Sequence, residues 1–171
     1  MGAYLITGRS GTGKTTVCKE LQRQGYCAFD MDRVEGLAGW VNPKTGSPVK
    51  VDYSKPMDLT QNAWHWNAPV LSKLLATHDE LFMCGSAHNQ LDFHYLFDKV
   101  FVLVLPPKTQ RRRIMERTEH DYGKLPEMQT RLLAEQAEFV KQSVALGTLK
   151  VAAAKTPEKI VQDILTHVHA H

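Results

Sequence analysis

The sequence predicts an α/β fold of three layers, with an open five-stranded parallel sheet between helices. Three observations predict it. A short apolar run, residues 3–7, leads directly into the glycine-rich stretch Gly8-Arg9-Ser10-Gly11-Thr12-Gly13-Lys14-Thr15, which opens a helical pattern. Two later runs, 81–84 and 100–105, are apolar at every position rather than at alternate ones, as in strands buried on both faces of a parallel sheet. Strand-like and helix-like segments alternate along the chain, which implies right-handed crossovers.

Each element follows from its residues. Residues 14–24 carry Val17, Cys18 and Leu21 at helical spacing, and Gly25 ends them. Residues 26–29 form a second strand, closed by Asp30. Residues 34–57, rich in glycine and proline, read as an irregular excursion with a short hairpin at Lys44-Thr45-Gly46. Residues 57–76 are helical in pattern, with Pro69 as a kink or a split. Residues 108–118 form a basic helix, 119–126 a polar loop, and 127–146 a long amphipathic helix ended by Gly147. Residues 149–153 supply a short fifth strand. Residues 157–168 close the fold, with Ile160, Val161, Ile164 and Leu165 on one face. Nothing reads as a linker, so residues 1–171 are expected to form one domain, with 34–78 and 118–126 as insertions on its rim.

Bulk properties exclude several classes. A chain of 171 residues, 43% hydrophobic and 23% charged, fits a single globule with a core. The longest unbroken apolar run is far shorter than the about 20 residues that cross a bilayer, so no membrane partner is expected. A net charge of +3 gives no nucleic-acid signature. Cys18, Cys27 and Cys84 share no C-x-x-C spacing, which suits a reducing cytoplasm. Oligomeric state is not encoded in any readable way.

Gly8 to Thr15 fits G-x-x-x-x-G-K-[ST] at every fixed position, after a strand and before a helix. Glycines let successive backbone N–H groups wrap phosphate oxygens, and the helix start adds its positive dipole end. Gly8, Arg9, Ser10, Gly11, Thr12, Gly13, Lys14, Thr15 and Thr16 are therefore the expected nucleotide-binding residues. Lys14 can reach the outer phosphates of ATP, and the Thr15 hydroxyl is placed for Mg2+.

Strand two ends in Asp30-Met31-Asp32-Arg33. Carboxyl ends of neighbouring parallel strands face one crevice, so both aspartates can stand opposite the end of a bound triphosphate. One could hold magnesium; the other could orient a hydroxyl or accept its proton. A helix cap followed by an ion pair to Arg33 would explain the same residues without chemistry.

The G-x-x-x-x-G-K-T-T stretch followed by D-x-D resembles the nucleoside-monophosphate-kinase-like P-loop kinases, especially the shikimate and gluconate kinase branch. Phe82-Met83-Cys84-Gly85-Ser86-Ala87 is similar to the third-strand segment of gluconate kinases. The resemblance implies one P-loop kinase domain with sheet order 2-3-1-4-5, an acceptor-binding insertion at 34–78 and a lid at 118–126. It implies Asp30 on the magnesium side and Asp32 as the catalytic residue on the acceptor side, with Arg33 and Gly85 near the acceptor. Ser86, His88, Asn89 and Gln90 follow residues 81–84 at the mouth of the same crevice and could hydrogen-bond the acceptor, although helix capping by Ser86 or Asn89 explains part of this equally well. No aspartate follows residues 81–84, a lack in which shikimate and gluconate kinases look similar and which moves the metal role toward Asp30; the chain departs from the family in having no arginine between Val34 and Asp98.

Arg113 and Arg117 lie four apart on the basic helix, as in the lid arginines of similar small kinases, where guanidinium charge meets the transferring phosphoryl group. Glu119 to Lys124 then reads as a lid that excludes water. A solvated helix face would account for Arg111 and Arg112 equally well. Trp40, Trp64 and Trp66 could stack on a base or sugar, or simply pack beneath the excursion. The function expected is phosphoryl transfer from ATP to a small metabolite, with a nucleoside or nucleotide ahead of a gluconate- or shikimate-like acceptor. An ATPase or nucleotide switch without a small acceptor is the rival class.

Overall fold

The structure, a computed structural model, describes residues 2–170. Five strands form the central sheet: β1 (Gly2–Thr7), β2 (Ala28–Asp30), β5 (Glu80–Cys84), β6 (Lys99–Val104) and β7 (Leu149–Ala152). Their order is β2-β5-β1-β6-β7, with every neighbouring pair parallel. Counting only these strands along the chain, the order is the expected 2-3-1-4-5.

The continuous apolar runs arise because both faces are covered. Ile6, Phe82, Phe101 and Leu103 pack against Val17 and Leu21 of α1 (Lys14–Arg23) and Ile160, Val161 and Ile164 of α5 (Pro157–Val168). Leu5, Met83 and Val100 turn to the other face, where they meet Leu71 of α2 (Ala68–Ala76), Leu37 and Trp66. Each large side chain buried in this way contributes about 1.5–3 kcal/mol relative to exposure. Two further helices, α3 (Pro107–Glu116) and α4 (Pro126–Ala145), pack on each other, and α4 runs along β6 and β7. Among the described residues no helix is long and apolar enough to cross a membrane.

The excursion is more ordered than its composition suggests. β3 (Ala38–Val41) pairs antiparallel with β4 (Ala63–Trp66), which sets Trp40 opposite Trp64. The turn at Lys44-Thr45-Gly46 is present: Asn42 N–H donates to Ser47 O at 2.9 Å, and Val41 bridges Pro48.

The helix expected over 57–76 is corrected to 68–76. Asp58 starts a turn instead, its carboxylate accepting the Thr60 N–H at 2.8 Å. Residues 63–66 are β4. Asn67 then caps α2 by accepting the Val70 N–H at 3.2 Å, and Pro69 sits in the first turn, where its missing N–H costs nothing. Pro69 therefore opens a helix rather than kinking one. Likewise α3 stops at Glu116, before the expected Thr118, and Arg117 takes an extended backbone as its C-cap.

Candidate active site

Three side chains hold the phosphate loop open. Gln136 of α4 accepts the Arg9 N–H at 2.8 Å and donates to Leu103 O at 3.1 Å. Gln110 of α3 donates to Ser10 O at 2.8 Å. Thr12 Oγ1 donates to Arg9 O at 2.9 Å. Gly11 has φ +85°, and a Cβ there would lie 2.7 Å from Ile114 Cγ1, so both conformation and space require glycine. Gly8 and Gly13 share the positive φ.

Lys14 Nζ donates to Gly8 O at 2.6 Å and to Arg9 O at 3.3 Å, so the ammonium lies along the loop it would serve. Burial pushes its pKa down to about 8, against the pull of Asp32 and Asp30. Thr15 Oγ1 donates to Asp30 Oδ2 at 2.8 Å. Thr16 is exposed on α1.

Asp30 also caps the short 3-10 turn Met31–Arg33, accepting the Asp32 N–H at 3.2 Å. The capping explanation and the functional one thus coexist in one residue. Asp32 Oδ1 accepts Trp64 Nε1–H at 3.1 Å, which aims the carboxylate. Asp32 is reached through the open mouth of the cavity, yet the surrounding protein raises its carboxyl above the ordinary range, with Lys14 opposing.

Beside these groups lies a cavity of about 210 Å3. Lys14 and Asp32 line it together with Ser10, Ser86 and Glu135. Trp40, Trp64, Tyr53 and Tyr122 form an aromatic wall. Trp40 is 5.5 Å from Trp64 and 5.7 Å from Tyr122 between ring centroids, and its Nε1–H donates to Tyr53 OH at 2.9 Å. Trp40 and Trp64 therefore face the site, whereas Trp66 is core at 3% exposure. Tyr122 and His120 bring the 119–125 segment over the same wall, and burial pushes the Tyr122 phenol up to about 12.

Arg117 donates to Ser10 Oγ at 2.6 Å, while its Nε and second terminal nitrogen are buried without a protein partner. Arg113 donates to Ala153 O at 3.3 Å and passes close to Gly13. The two arginines thus flank the loop from different sides rather than sharing a face, because Arg117 leaves the helical path. Arg112 meets Glu116 at 3.9 Å on the solvated side of α3.

Three expected acceptor residues stand elsewhere. Arg33 is exposed, 3.7 Å from Asp30, beside Lys19 and Gln22 on the far side of β2's tip. Asn89 accepts the Trp66 N–H at 2.9 Å and donates to Trp66 O at 3.1 Å, acting as a substitute strand for β4. Gly85 packs on Met31, where a Cβ would come within 2.7 Å of Met31 Cβ. Met31 separates the two aspartates, so Gly85→Ala should lower stability by about 1–3 kcal/mol. It should also raise the KM for the acceptor; chemical denaturation and steady-state kinetics would check both.

His88, singled out only loosely by its place after β5, lines the cavity. Its Nδ1 accepts the Trp64 N–H at 2.9 Å, which leaves the neutral ring with its proton on Nε2. Burial, then the Arg9 charge, pushes its pKa from 6.5 down to about 4. The unfolded chain therefore binds a proton that the folded chain refuses, so stability falls as pH drops from 6.5 toward 4. His65, His94 and His120 are lowered in the same direction. In His88→Asn, which keeps an acceptor for Trp64, thermal midpoints over that interval should fall less steeply than in the wild type.

Comparison with known proteins bears on the family and the fold. The family described as AAA domain matches residues 5–138. A dephospho-CoA kinase of Streptococcus mutans serotype c is 23% identical over 143 residues, 66% of this chain and 71% of that protein. Deoxyadenosine kinase from M. mycoides with bound dATP superposes with a TM-score of 0.62 at 16% identity, covering 99% of this chain and 100% of the other. Shikimate kinase from Acinetobacter baumannii, in complex with shikimate, gives 0.61 at 16%, covering 98% and 93%. A gluconokinase from Sinorhizobium meliloti 1021 gives 0.53 at 18%, covering 96% and 90%. With the glycine loop and the 2-3-1-4-5 sheet, the chain belongs to the AAA-domain family of P-loop proteins and shares its fold with the small-molecule kinases on which it superposes.

Proposed function

We propose that the protein is an ATP- and Mg2+-dependent kinase that moves the γ-phosphoryl group to a hydroxyl of a small metabolite, a nucleoside or nucleotide. The observation that carries this reading is a single cavity lined by Lys14 and Asp32 together with the rings of Trp40, Tyr53, Trp64 and Tyr122. A site that only hydrolysed ATP would need no such aromatic wall beside its phosphate loop.

Thr15 and Asp30 fit a magnesium ion: they present two hard oxygens 2.8 Å apart, one from the start of α1 and one from the end of β2, and this ion commonly takes one or two protein ligands plus phosphates and water. When bound, magnesium neutralises charge on the outer phosphates. The loop amides and Lys14 bind and orient the triphosphate. Asp32 holds the acceptor hydroxyl and takes its proton as the oxygen–phosphorus bond forms and the bond to the β-γ bridging oxygen breaks, releasing ADP. Arg117, whose free donors point beside Ser10, and Arg113 supply charge to the phosphoryl oxygens. Tyr122 and His120 cover the cavity and exclude water as a competing acceptor.

A screen of nucleosides, nucleotides and sugar acids for ATP consumption tests the reading. At least one nucleoside or nucleotide should raise consumption well above the acceptor-free rate. Steady hydrolysis indifferent to every acceptor would favour the ATPase class instead.

A further inference from the structure

Two charged groups on the cavity wall take no part in the phosphoryl step: Arg9 and Glu135. Arg9 occupies a free position of the phosphate loop, and its side chain packs on α4. Its guanidinium lies 4.6 Å over the Phe139 ring, and its own backbone N–H is held by Gln136. Its Nε is buried without a partner. Glu135, beside Gln136 on α4, makes no hydrogen bond and no ion pair among the described residues. Burial raises its carboxyl, with Arg9 and then Arg131 opposing. Arg131 itself is engaged by Met57 O at 2.8 Å. Both groups line the cavity without pairing with each other, so a half-buried carboxylate and a guanidinium are left available to a ligand.

The missing partner is defined by what these groups can and cannot do. An ionised Glu135 only accepts, and Arg9 only donates. A ligand group seated between them must offer a donor beside an acceptor. The aromatic wall requires that group to be flat. We infer, on the basis of the kinase reading above, that the acceptor is an amino-bearing nucleoside of the cytosine or adenine kind, its exocyclic amine donating to Glu135 and its ring nitrogen accepting from Arg9. In the same pose uracil or hypoxanthine presents the swapped pattern, setting acceptor against acceptor and donor against donor.

Tryptophan fluorescence gives a readout independent of turnover, because Trp40 and Trp64 line the cavity. Titration with cytidine, uridine, adenosine and inosine should show each amino nucleoside binding at least about tenfold tighter than its oxo counterpart. In Glu135→Gln, whose amide can also donate, that ratio should shrink toward one or invert, with no fall in the thermal midpoint. Equal affinity for amino and oxo forms, an unaltered ratio in Glu135→Gln, or no binding of any of the four would overturn the inference. Its failure is separable from that of the kinase reading. Lys14-dependent ATP consumption with a sugar acid, without nucleoside binding, would remove the base assignment and keep the kinase. Selective nucleoside binding without Lys14-dependent transfer would do the reverse.

Discussion

Lys14→Ala should lower kcat/KM for phosphoryl transfer by about a thousandfold, about 4 kcal/mol of transition-state stabilisation at 25 °C. The ammonium is the one loop side chain able to follow charge onto the outer phosphates, and it already rests against the carbonyls of Gly8 and Arg9. Its loss leaves the loop scaffold in place, because Gln136, Gln110 and Thr12 hold the backbone independently. The thermal midpoint should therefore change little while turnover collapses. Wild-type affinity for ATP carries a matching pH signature. The empty protein gives up the Lys14 proton near pH 8, and a polyphosphate beside the amine favours the charged form. Binding must then take up a proton above pH 8, so affinity weakens as pH rises past that point, and Lys14→Ala should lack this dependence. Calorimetry in buffers of different ionisation enthalpy measures the uptake directly. Unchanged turnover in Lys14→Ala would remove the phosphate loop from the mechanism.

The parts of the site that were legible in the sequence are those whose chemistry is local. The phosphate loop is contiguous, and its glycine spacing is demanded by backbone geometry, so it could be read from eight residues. Asp30 and Asp32 were legible because a parallel sheet delivers the ends of adjacent strands to one crevice, whatever the rest of the chain does. What was not legible depends on packing between distant segments. Arg9 reads as a phosphate-loop residue until Phe139, far along the chain, is seen beneath its guanidinium. Glu135 reads as one more solvated position on an amphipathic helix, and nothing in its neighbours marks it. Asn89 illustrates the opposite error. An amide after a strand end suggests ligand binding, but here it completes the backbone hydrogen bonds of Trp66. The tryptophans could not be sorted by composition. Only the β3–β4 pairing, which sets Trp40 across from Trp64, separates the two that face the cavity from the one that belongs to the core.

Asp32→Asn should reduce kcat by about 10²–10⁴-fold while leaving ATP affinity nearly intact. The substitution isolates charge from position. An asparagine keeps the side-chain oxygen that accepts the Trp64 indole N–H at 3.1 Å, so the aromatic wall and the acceptor cavity should hold their shape. What it removes is the capacity to take a proton from the attacking hydroxyl. The pH profile distinguishes this role from a merely structural one. The surrounding protein raises the Asp32 carboxyl above its ordinary value, and the group must be ionised to act as a base. Wild-type kcat should therefore decline as pH falls through that raised value, an acid limb displaced upward from that of an ordinary aspartate. In Asp32→Asn the residual rate should show no such limb. If the variant keeps full activity, or loses activity with the acid limb still in place, the proton goes elsewhere and Asp32 serves only to position Trp64. The two outcomes differ in kind because a positioning residue has no reason to impose its own titration on the rate.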